Sequence, residues 1–187
     1  MEQHQGHRFC SMALLVCRLS VGCCVRPFER KTLGTGIWKF SMSLSGLLPL
    51  LGQTEQFAAL VNSLRAPRAQ AALIAPDPAI EYTVAALWRE TDAPVFVLTP
   101  NPESARRLHD RLFTWLGDDS PVFHFAESED IPFERYVPDH GASHQRLRAL
   151  AALRGEVKGI TRPLIVASVT AASQATLERS VFDSSTQ

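Results

Sequence analysis

Val95-Phe96-Val97-Leu98-Thr99-Pro100-Asn101-Pro102-Glu103 decides the fold class of this chain. Four consecutive apolar residues, β-branched or aromatic for the most part, suit a strand buried on both faces, and Pro94 and Pro100 bound it. Asn101-Pro102 then opens a helix. Asn supplies a side-chain oxygen to a free backbone N–H, and proline at the first helical position gives up an N–H that has no partner there anyway. Ala105, Leu108, Leu112, Phe113 and Leu116 follow at three- and four-residue spacing and form the inner face of that helix. Gly117 is placed to end it.

The same alternation extends in both directions. Upstream, Gln53 to Leu64 carries Phe57, Leu60, Val61 and Leu64 on one helical stripe. Ala71-Ala72-Leu73-Ile74-Ala75 reads as a short buried strand. Asp77-Pro78 repeats the cap-then-proline start of a helix that runs to about Glu90, with Ile80, Val84, Leu87 and Trp88 inward. Downstream, Val122-Phe123-His124-Phe125 is a third strand. Residues 142–154 form a helix through Leu147, Leu150 and Leu153. Pro163-Leu164-Ile165-Val166-Ala167 is a fourth strand, and Thr170 starts a short helix. Strands separated by helices of this length need right-handed crossovers, so the expected fold is α/β: a mostly parallel sheet with helices on both faces.

Composition sets outer limits. Of 187 residues 45% are hydrophobic and 20% charged, a globular balance, and no apolar run approaches the ~20 residues of a membrane span. The net charge of +0 argues against a strongly basic nucleic-acid module. It conceals a division, however. Residues 1–43 hold six basic side chains (Arg8, Arg18, Arg26, Arg30, Lys31, Lys39) against Glu2 and Glu29, and the remainder is acidic by the same margin of four. All four cysteines, Cys10, Cys17, Cys23 and Cys24, also lie in that leader without the paired spacing of a zinc site. The apolar stretch Met12 to Cys17 is too short for a secretory signal. The expectation is a poorly structured leader over 1–43, an α/β domain over 44–177 and a polar tail over 178–187, with thiols reduced as in a cytoplasmic protein.

An open parallel sheet binds ligands at the carboxyl ends of its strands. A phosphate cradle there needs glycines whose N–H groups face the ligand, as in Gly-x-x-x-x-Gly-Lys-Ser/Thr. The first junction instead reads Ala75-Pro76-Asp77-Pro78-Ala79-Ile80, two imino acids and a carboxylate, and Thr99-Pro100-Asn101-Pro102 has the same defect. Gly34-Thr35-Gly36 precedes no helical pattern, and there is no Gly-x-Gly-x-x-Gly. His140 and His144 share a helix face but have no third ligand in frame. Ser168 and Ser173 sit in no nucleophile elbow. Arg106, Arg107 and Arg111, with Arg146 and Arg148, are solvated pairs or a stripe toward a phosphate backbone. Glu127, Glu129, Asp130 and Glu134 cluster in one loop. With His140, Asp130 and Glu134 would serve an alternative reading as a small α/β hydrolase or phosphatase.

That loop is the most distinctive segment: Phe125-Ala126-Glu127-Ser128-Glu129-Asp130-Ile131-Pro132-Phe133-Glu134-Arg135-Tyr136-Val137-Pro138-Asp139, then Arg146-Leu147-Arg148-Ala149-Leu150. An acidic turn, Pro-aromatic-Glu, a second aromatic, Pro and then Arg-Leu on a helix resembles the amino-terminal module of bacterial transcription-repair coupling factors, itself similar to the damage-recognition protein UvrB. Pro163 to Ala172 is similar to that family's next strand and its continuation. The resemblance covers about Leu44 to Leu177. It implies a degenerate, RecA-like or UvrB-like half of a helicase that has no catalytic, cofactor or metal residues of its own. Glu129, Pro132, Phe133, Glu134, Tyr136, Pro138, Arg146 and Leu147 would then serve as structural or interaction residues. UvrA, RNA polymerase and DNA are the implied partners of the whole family protein, and ATP and magnesium are implied only for its motor. That motor lies beyond this sequence, and the expectation is a fragment of a longer protein.

Overall fold

The computed structural model describes residues 43–66, 68–128 and 140–176, together with the backbone of Leu14–Leu15. In chain order these are β1 (Leu14–Leu15), a 3-10 turn (Ser45–Leu47), α1 (Leu48–Gly52), α2 (Glu55–Leu64), α3 (Asp77–Glu90), β2 (Val95–Thr99), α4 (Pro102–Leu116), β3 (Val122–Phe125), α5 (His140–Leu153), β4 (Leu164–Ser168) and α6 (Val169–Ser173). The sheet order is β1-β2-β4-β3. Strands β2, β4 and β3 are parallel, with Val97 opposite Val166 and Phe123 opposite Ile165. Leu14–Leu15 adds antiparallel beside Phe96 and Val97. The α/β class with a parallel sheet and helices on both faces is therefore present.

Crossover handedness accounts for the two faces. The chain steps from β2 past β4 to β3 through α4, then back from β3 to β4 through α5. Two steps in opposite directions are both right-handed only if their helices lie on opposite sides. Side chains alternate to match. Val95, Val97, Val122, Leu164 and Val166 join Ala105, Leu108 and Leu112 of α4, Val84 to Leu87 of α3, and Phe57 and Val61 of α2 in one core. Phe123, Phe125, Ile165 and Ala167 meet Ala149 and Ala152 of α5 and Ala171 of α6 in the other. Central β4 is buried along its whole length.

Cap chemistry holds at α4. Asn101 Oδ1 accepts from Ser104 N at 2.8 Å, and Gly117 ends the helix at φ 89°, where a side chain would be strained. At α3 the start moves by one residue: extended Pro76 is the cap and Asp77 already lies in the helix. The far end of α3 is tied to the approach to β4. Trp88 Nε1 donates to Arg162 O at 3.1 Å, and Arg162 donates to Thr91 O at 2.9 Å.

Two expectations are corrected. Ala71–Ala75 is not a strand but an irregular, largely exposed segment, with Ile74 83% exposed. Three of its five residues are alanine, which contributes little burial in a sheet, and the outer side of β2 is occupied in part by β1. The Ala75–Ile80 junction is consequently not a strand–helix junction of the sheet. In α5, Leu147 does not face the core; Ala142, Arg146, Ala149 and Ala152 do, with Leu150 and Leu153 packed at the side.

Candidate functional site at the carboxyl edge of the sheet

β2 and β4 each end an apolar run on a hydroxyl, Thr99 and Ser168, opposite one another in register and both buried. Neither hydroxyl points a free group outward. Thr99 Oγ1 shares its proton between Asn101 O at 3.0 Å and Ala167 O at 3.3 Å. Ser168 Oγ accepts from Ala171 N at 2.9 Å and caps α6.

Arg146 dominates the neighbouring edge beyond β3. It is only 8% exposed, and its guanidinium lies over the Phe125 ring at 4.2 Å from the centroid. One terminal nitrogen donates to Ala126 O (2.8 Å), Ala171 O (3.2 Å) and Gln174 Oε1 (3.3 Å); the other reaches Ala175 O at 3.4 Å. Gln174 in turn bonds the backbone of Ser128 twice. Its Oε1 accepts from Ser128 N at 2.7 Å, and its Nε2 donates to Ser128 O at 3.0 Å. Arg146 of α5 thus knots the chain leaving β3 to the chain leaving α6. Its partners among the described residues are neutral oxygens, so burial pushes its pKa below the ordinary arginine value. It stays charged at neutral pH nonetheless.

Of the residues singled out from sequence, Arg146 belongs to this cluster. Leu147, its neighbour in the chain, is 39% exposed and stands outside it. Glu129, Pro132, Phe133, Glu134, Tyr136 and Pro138 lie outside the described residues, as do Asp130 and the leader cysteines. Arg106 and Arg107 are exposed on α4, and Arg111 pairs with Glu81 of α3. His144 is exposed on α5. Among the described residues no three or more His, Cys, Asp or Glu side chains gather closely enough for a metal ion, and no helix is long and apolar enough to cross a membrane. Sequence reading missed Gln174 and the Ser128 backbone, which nothing in the local pattern marks. Thr99 carried a usable signal, a lone hydroxyl closing an apolar strand.

A search against known protein-family models found no match, and the curated proteins hold no match to this chain either.

Proposed function

We propose that this chain is a non-catalytic interaction module of a transcription-repair coupling factor, working in the cytoplasm on transcription-coupled nucleotide excision repair. The family reading rests on the acidic Pro-aromatic-Glu loop and the Arg-Leu helix. One structural observation supports the non-catalytic part. At the sheet edge where α/β folds hold their ligands, Thr99, Ser168, Arg146 and Gln174 spend their polar groups on the chain itself. In this reading α5 offers two adjacent residues with divided tasks: Arg146 shapes the edge from inside, and exposed Leu147 meets a partner. UvrA is the partner we assign to that surface. RNA polymerase and DNA are contacts of the larger assembly, as are the ATP and magnesium of its motor.

Calorimetry of the full chain against purified UvrA tests this. Binding is expected, and Leu147→Glu should weaken it at least tenfold while leaving the unfolding free energy within about 0.5 kcal/mol, as for other exposed positions. Absence of binding would remove the assignment. A metal-dependent phosphatase activity lost on Glu134→Gln would replace it with the hydrolase alternative.

A further inference from the structure

At the rim of the first core, two histidines from different elements lie ring to ring. His109 of α4 and His124 of β3 have centroids 5.5 Å apart with planes tilted by 40°. Each ring is fixed by an oxygen on its Nδ1. His109 Nδ1 lies 3.0 Å from Asp110 Oδ1, and His124 Nδ1 lies 3.1 Å from Gln145 Oε1 of α5. An ionised carboxylate and an amide oxygen only accept, so in the neutral form of either ring the proton sits on Nδ1 and the lone pair on Nε2. Phe113 also braces His109 edge-on, with centroids 5.1 Å apart.

A histidine that ligates a metal almost always donates its other ring N–H to a carboxylate or a carbonyl oxygen, which fixes the tautomer and the ring. Both rings here have that arrangement, reached from two elements independently. The spacing also fits. With about 2.0–2.1 Å from metal to imidazole nitrogen, each ring centre stands roughly 3.2 Å from the ion, and two rings at a tetrahedral angle have centroids about 5 Å apart. We propose that His109 and His124 bind one divalent transition-metal ion of the zinc, nickel or copper type through their Nε2 atoms, with water filling the remaining positions. Imidazole pairs suit these metals and not magnesium or calcium. Among the described residues no third His, Cys, Asp or Glu side chain joins the pair.

Arg106 of α4 opposes a cation, Asp110 favours it, and Gln145 from α5 is neutral. The His109 side chain is 21% exposed, so the pair is reachable from solvent. An ion held there would clip α4 to β3 and stabilise the fold by mass action. This inference does not depend on the proposed role in repair.

The test is a titration of the full chain with nickel ion, followed by heteronuclear NMR. Cysteines in the leader also attract such ions, so the readout must be resolved by residue. Substoichiometric nickel should broaden the amides of Leu108–Asp110 and Phe123–Phe125 together. His109→Gln and His124→Gln should each abolish the broadening at both places, in chains whose dispersed spectra report an intact fold. Asp110→Asn, at an exposed position, should weaken binding about tenfold, the usual cost of losing such a supporting partner. Broadening at one segment alone, its survival in either histidine variant, or an unchanged affinity in Asp110→Asn would overturn the proposal.

Discussion

Arg146 inverts the usual expectation for an arginine on a helix. Placed between Gln145 and Leu147 in a run with Arg148, it has the setting of a solvated cation, yet it is more deeply buried than Leu147 beside it. The guanidinium compensates by serving as a hub of donors: carbonyl oxygens that end β3 and α6 have no ladder partners, and its flat fork reaches several at once. Stacking on Phe125 covers its apolar face. Arg146→Ala should therefore cost about 3 kcal/mol, because it leaves buried carbonyls without donors as well as removing the bonds themselves. Arg146→Lys should recover only part of that, since an ammonium cannot span the same oxygens. Urea unfolding of the three chains measures both. A loss below about 0.5 kcal/mol for the alanine variant would mean that water replaces the guanidinium freely.

Elements were legible where local chemistry and tertiary context agree. Helix α4 is the clearest case: a capping asparagine, a proline in the first turn, an apolar stripe and a terminal glycine all point to one span, and the structure follows it. Its cap should be worth about 1 kcal/mol, so Asn101→Ala should lower stability by that amount in thermal or urea unfolding. Asp77→Ala at the start of α3 should cost less than about 0.5 kcal/mol, because Asp77 caps no N–H with its side chain. Helix α5 was legible as a helix but not in its facing. Leucine spacing selects Leu147, Leu150 and Leu153, whereas Ala149 and Ala152 take the central positions against the sheet and Arg146 lies over Phe125 of β3. Periodicity reports which positions are apolar; it does not report that an arginine and two alanines share the buried face. The edge cluster was half legible for a similar reason. Arg146 stood in a recognisable motif, while Gln174 reaches Ser128 across 46 positions of sequence, a distance no local pattern spans.

At the scale of the whole molecule, a mostly parallel sheet read with Ala71–Ala75 as one of its four strands has three parallel strands and an antiparallel addition instead. The parallel core needs only β2, β4 and β3, whose two crossovers cover both faces and bury β4 completely. A strand contributed by Ala71–Ala75 would have to bury Leu73 and Ile74 to justify ordering the segment, and alanine at the other three positions offers little further gain. In the structure both larger side chains face solvent, and Leu14–Leu15 pairs with β2 instead. The two arrangements differ sharply in what one substitution does. If Ile74 were a core strand residue, Ile74→Asp would bury a charge and cost several kcal/mol. At 83% exposure it should shift the unfolding free energy by no more than about 0.5 kcal/mol. The same change should also reduce concentration-dependent light scattering, because an uncharged apolar run of this kind on a surface is a template for association and a carboxylate interrupts it. Urea unfolding and scattering on the Ile74→Asp chain decide together. Destabilisation of several kcal/mol would return Ala71–Ala75 to the sheet, and an unchanged midpoint with less association places it on the outside.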